Sequence, residues 1–172
     1  MESKLKLGTA VFVPMLLVGV LNSPAAQSQE VKAGDLVISQ PWSRAAPKGA
    51  DLTSSYLTIE NKGTAADRLV KGSTEAAEKI EIQQTSKKGG ATSTETLDGG
   101  LAIPPGDKVV FAPGAYKLAF LKLKSRLKKG TKVSVTLEFE KAGQVTVPFD
   151  VLSASSTGPV APKTSPDSKM KK

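Results

Sequence analysis

The sequence predicts an all-β domain, a sandwich or barrel. Short strand-like runs recur at regular spacing, separated by Gly- and Pro-rich turns. No stretch of the domain keeps a helical period for long. The segment Phe111–Leu123 (F-A-P-G-A-Y-K-L-A-F-L-K-L) organises the rest. Pro113-Gly114 makes a turn, because Pro presets φ and Gly tolerates positive φ. The strand that follows places Tyr116, Leu118 and Phe120 on one face and Lys117, Ala119 and Leu121 on the other.

Taken in order, Asp35–Ser39 is a first strand, and Pro41-Trp42-Ser43-Arg44 continues it past a proline, which implies an edge or a bulge. Ala45–Gly49 is a loop. Ser54–Asn61 alternates, with Leu57 and Ile59 opposite Thr58 and Glu60. Asp67–Ser73 is a strand, and Thr74–Glu78 a short helical turn that Thr74 caps. Lys79–Thr85 directs Ile80 and Ile82 inward and Glu81 and Gln83 outward. A Lys87–Gly90 loop leads to Ala91–Leu97, polar β-formers that make an exposed or marginal strand. Gly99-Gly100 and Pro104-Pro105-Gly106 mark loops around a short Leu101-Ala-Ile103, and Lys108–Phe111 leads into the organising segment. Val133, Val135, Leu137 and Phe139, then Val145, Val147, Phe149 and Val151, alternate cleanly around Lys141-Ala142-Gly143 as a hairpin.

The 172 residues suit one domain with tails. Residues 1–28 read as a secretory signal: Lys4 and Lys6 precede a mostly apolar Leu7–Leu21, and small residues follow. That run is short for a membrane span, so export to the periplasm or cell exterior is expected, with no transmembrane segment after processing. Residues 29–34 read as a linker, 35–152 as the domain and 153–172 as a disordered basic tail rich in Ser, Thr, Pro and Lys.

The sequence contains no Cys and no His, and its three Met are Met1, Met15 and Met170. That excludes disulfides and thiolate sites, and removes the commonest general base and metal ligand. Net charge is +8. With a single Trp, two Tyr and five Phe there is no aromatic interleaving for base stacking, so nucleic acid is not an expected partner. Ser125-Arg-Leu-Lys128 matches Ser-x-x-Lys, but the partner motifs of that nucleophile are absent, and no catalytic residues are assigned. The basic run Lys117, Lys122, Lys124, Arg126, Lys128 and Lys129 is a candidate interaction surface for anionic lipid, cell-wall polymer or an acidic protein.

Several pieces resemble the periplasmic copper chaperones of the PCu(A)C type. They are Gln40-Pro-Trp-Ser-Arg-Ala-Ala-Pro47, Ser55–Asn61, Asp67-Arg-Leu69, Ile80-Glu-Ile82, Gly99–Pro104, Pro113-Gly-Ala-Tyr116, Leu127–Gly130 and Val135–Phe139, in the family's order. The resemblance implies a cupredoxin-like Greek-key β-sandwich and a Cu(I) site of two His and two Met. It places those ligands on Gln83, Thr94, Lys117 and Ala119, none of which can replace them: soft donors select Cu(I), and a protonated Lys repels it.

The expectation is therefore an exported, monomeric binding protein of this family, not an enzyme, with no cofactor. It would act as a protein-interaction or copper-trafficking accessory module, with a periplasmic or membrane protein of copper-oxidase assembly as the partner that the resemblance implies. The alternative is a functional copper metallochaperone whose non-standard site is completed by a partner.

Overall fold

A computed structural model describes residues 29–159; the expected signal 1–28 and the tail beyond 159 lie outside the described residues. Eleven strands follow in order: β1 (Glu30–Ala33), β2 (Leu36–Arg44), β3 (Leu52–Asn61), β4 (Asp67–Ser73), β5 (Ala77–Lys88) and β6 (Ala91–Thr96), then β7 (Leu101–Ile103), β8 (Lys108–Val110), β9 (Tyr116–Leu123), β10 (Lys132–Phe139) and β11 (Gly143–Leu152). No helix occurs among the described residues.

Hydrogen bonding runs β6-β5-β9-β3-β2-β11-β10-β4-β7, with β1 on β2 and β8 on β3. All pairs are antiparallel except β11–β2, where the last strand returns beside an early one in parallel, a Greek-key closure. The path folds back on itself. Gly72 of β4 lies against Ile80 of β5, although the two strands are not paired: a Cβ at Gly72 would sit 3.0 Å from Ile80 Cγ2.

The bend is built into β2. Gln40 has φ of 52°, and the β2–β3 register slips between Ser39 and Trp42. This bulge lets the strand carry Pro41 and turn Trp42 into the core, as the sequence implied. Leu36, Ile38, Leu57, Ile59, Leu118, Phe120, Val135, Leu137, Val147 and Phe149 are essentially inaccessible to solvent. Each such side chain contributes about 1.5–3 kcal/mol by burial, so these alternating apolar positions hold the two layers together.

Three expectations need correction. Residues 29–34 are not a plain linker: Glu30–Ala33 pair with Leu36–Ser39 through a two-residue Gly34-Asp35 turn. Residues 74–78 are not a helical turn: Glu75-Ala76 make a plain turn and Ala77-Glu78 belong to β5. Thr74 Oγ1 does accept the Ala76 N–H at 3.3 Å, but Ala77 already begins β5. The tail does not leave the domain at Ser153. The Ser156 N–H donates to Ser153 O, and Arg44 Nε donates to Ser156 O at 3.2 Å, so residues 153–159 fold back on the end of β2.

Candidate functional site

The positions that the resemblance assigns to metal ligands fall on one outward face of the β6-β5-β9 sheet. Gln83 pairs directly with Lys117 across β5–β9, and Glu81 with Ala119 one step along. On the other side of β5, Gln83 faces Thr96 and Thr85 faces Thr94. The fold thus brings Gln83, Lys117 and Ala119 together. Thr94 stands one cross-strand pair away, exposed, 3.5 Å from Thr85 Oγ1 through its own hydroxyl.

The centre of this face is Glu81, which the sequence reading did not single out. Lys79 Nζ donates to Glu81 Oε1 at 2.8 Å. Gln83 Nε2 and Thr96 Oγ1 donate to Glu81 Oε2 at 2.9 and 3.1 Å. The Lys79 ammonium first, then the Gln83 amide, hold the Glu81 carboxyl below its ordinary range, and Glu81 in turn raises Lys79. The period-2 run Lys79, Glu81, Gln83 was visible in the sequence. What was missing was the register that puts Thr96 beside it.

This donor set does not fit Cu(I). The four positions offer an amide whose nitrogen donates to a carboxylate and whose oxygen is a hard donor, a hydroxyl, an ammonium and a buried methyl group, with no thioether or imidazole. Among the described residues no group of three or more His, Cys, Asp or Glu is placed to hold a metal ion.

The basic run is not one surface. Lys117 opens β9 on the Glu81 face, whereas Lys124, Arg126, Lys128 and Lys129 lie in the loop beyond its other end. At about 3.3 Å per residue, Lys117 and Lys124 are roughly 20 Å apart. Lys122, with φ of 52°, pairs with Glu78 at 3.1 Å. Ser125 and Lys128 are both exposed in this loop and not on a helix, so the Ser-x-x-Lys match has no nucleophile geometry.

The most specific matching motif does structural work. Trp42 packs on Tyr56 with ring centroids 4.5 Å apart, and the Arg44 guanidinium lies 5.7 Å from the Tyr56 centroid. The Ala46 N–H donates to Leu127 O at 3.0 Å, tying this segment to the basic loop.

Residues 36–151 match the LpqE-like family, described as "Putative lipoprotein LpqE-like". "Putative lipoprotein Lxx21020" of Leifsonia xyli subsp. xyli (strain CTCB07) is 30% identical over 144 residues, covering 81% of this chain and 86% of the relative. Among solved structures, "Apo PCuAC domain from PmoF1" is 30% identical with a TM-score of 0.62, covering 73% of this chain and 99% of that one. "Copper-bound PCuAC domain from PmoF2" is 25% identical with a TM-score of 0.62, covering 73% and 98%. The apo form of DR1885 from Deinococcus radiodurans, 23% identical with a TM-score of 0.55 over 84% of this chain and 97% of that one, shares the fold. The chain belongs to the LpqE-like family, as a member with the PCuAC-type cupredoxin-like fold that lacks the His and Met copper ligands.

Proposed function

We propose that this chain is an exported, non-enzymatic binding module that keeps the copper-chaperone scaffold without its Cu(I) chemistry. It acts by contact with a protein or envelope partner, in the periplasm or at the cell exterior, and serves copper trafficking only as an accessory. The observation that carries this reading is the Glu81 cluster. Where the fold would present soft ligands, Gln83 is hydrogen-bonded to Glu81 and faces Lys117 across the strand pair. The lipoprotein description of the Leifsonia relative supports an envelope location.

The test rebuilds the site. Gln83→His, Thr94→Met, Lys117→His and Ala119→Met together should draw Cu(I) from a colorimetric chelator. Gln83 and Lys117 are cross-strand partners, and positions 117 and 119 share a face. A folded variant that gains no Cu(I) binding would show that this face is not the lost site. Because Ala119 is buried, thermal unfolding is recorded alongside. The second reading, a metallochaperone completed by a partner, draws on the copper-bound PmoF2 domain. It predicts Cu(I) retention only when an oxidase-assembly partner is added.

A further inference from the structure

The loop between β9 and β10 carries Lys124, Arg126, Lys128 and Lys129, all exposed and none in an ion pair among the described residues. Leu127 between them is buried and bridged through its carbonyl to Ala46. The Gly130 N–H donates to Val151 O at 2.8 Å, and Thr131 Oγ1 to Lys128 O at 2.8 Å. The loop is thus anchored at its centre and its far end, and its cations are turned outward. Beside it runs an open polar groove of about 430 Å³, lined by Thr74, Glu75, Ser125, Arg126, Thr131 and Lys132 among others.

Lys132 does not add to the free charge. Its Nζ is held by Asp150 and by Gln29 Oε1 at 3.0 Å. That contact places the start of the described chain at the edge of the polar groove beside the loop. The apolar run Leu7–Leu21 joins the domain through residues 22–28, which span at most about 25 Å when extended. Until the expected signal is removed, that tether keeps the Gln29 edge of the domain within reach of the membrane surface.

We propose that this basic face binds an anionic lipid surface, with headgroup phosphates taken by Arg126 and the flanking lysines. Arg offers a planar fork of donors to a phosphate, and each cation near an anionic leaflet adds to the attraction. The proposal rests on reading the chain as an exported binding module, and it names the envelope partner. The Glu81 face, at the far end of β9, takes no part.

The test is co-sedimentation of the processed chain from Gln29 onward, without the apolar run Leu7–Leu21, with vesicles of phosphatidylglycerol mixed with phosphatidylcholine, and with vesicles of phosphatidylcholine alone. The chain should sediment with the anionic vesicles and be released by raised salt. Lys124→Glu, Arg126→Glu, Lys128→Glu and Lys129→Glu combined should weaken this about a thousandfold. Reversing Lys87 and Lys117 at the far end should leave it unchanged. Arg126→Glu alone, showing a smaller loss in the same direction, covers the case in which the combined variant does not fold. Equal binding to neutral vesicles, or undiminished binding by the loop variants, would overturn the proposal. So would a soluble polyphosphate that binds as tightly as the vesicles, which would assign the face to a free polyanion. None of these outcomes bears on Cu(I), so the proposal can fail while the functional reading stands.

Discussion

Two carboxylates in this molecule each accept three hydrogen bonds and are each held below their ordinary pKa, yet they do different things. Asp67, at the start of β4, is nearly buried. Its oxygens accept the backbone N–H groups of Arg68 (2.7 Å), Lys141 (2.9 Å) and Ala142 (2.9 Å). Burial pushes its carboxyl up, but the three backbone donors together outweigh that and bring it down. Glu81 takes its three bonds from side chains on an outward face, Lys79, Gln83 and Thr96. Backbone donors cannot move away, so Asp67 locks the β10–β11 turn to β4. Side-chain donors on a surface can turn to water, so Glu81 organises a face without holding the fold. The comparison separates what this scaffold needs from what it has exchanged at the site.

Replacing Asp67 should have the largest effect. Asp67→Ala leaves three backbone N–H groups without their acceptor and should cost about 3 kcal/mol, lowering Tm by roughly 10 °C in a thermal melt. Asp67→Asn keeps Oδ1, which serves both Arg68 and Lys141, and loses the acceptor of Ala142, so about 1 kcal/mol is expected. The same pair of proteins gives a pH signature. The folded-state pKa of Asp67 lies below its ordinary 3.8, so its contribution is complete above the unfolded value and drains away as pH falls through the folded one. Wild type should therefore lose stability faster than Asp67→Asn on acidification below about pH 4. Parallel acid profiles would show that Asp67 is not a source of the acid sensitivity. Glu81→Gln should have the smallest effect, within about 1 kcal/mol by chemical denaturation, since its donors sit on the surface. A loss as large as that of Asp67→Ala would collapse the distinction between the two carboxylates.

Much of the fold was legible because burial imposes a simple period. The valines and phenylalanines of β10 and β11 alternate over the whole hairpin, and Pro113-Gly114 turns where its φ of 89° at Gly114 requires. β1 was missed because Glu30-Val-Lys-Ala33 has too few apolar positions to show alternation. Gly34-Asp35, a favoured two-residue hairpin turn, was the available signal. Residues 153–159 look like a tail by composition, and only the position of Arg44 reveals their return. At the site, the replaced ligand positions were readable one by one. Which of them meet depends on register, and so Glu81 was legible as outward-facing but not as the centre of the cluster. The basic run looked continuous in the chain, but β9 carries Lys117 and the loop to opposite ends of the domain.

The central claim is that the Glu81 face has lost Cu(I) binding. The most direct measurement is competition of the unaltered chain against a colorimetric Cu(I) chelator under anaerobic conditions. The account predicts that the chelator keeps its copper at every protein concentration. Stoichiometric withdrawal of Cu(I) by the unaltered chain would contradict it and require a copper site built from other residues.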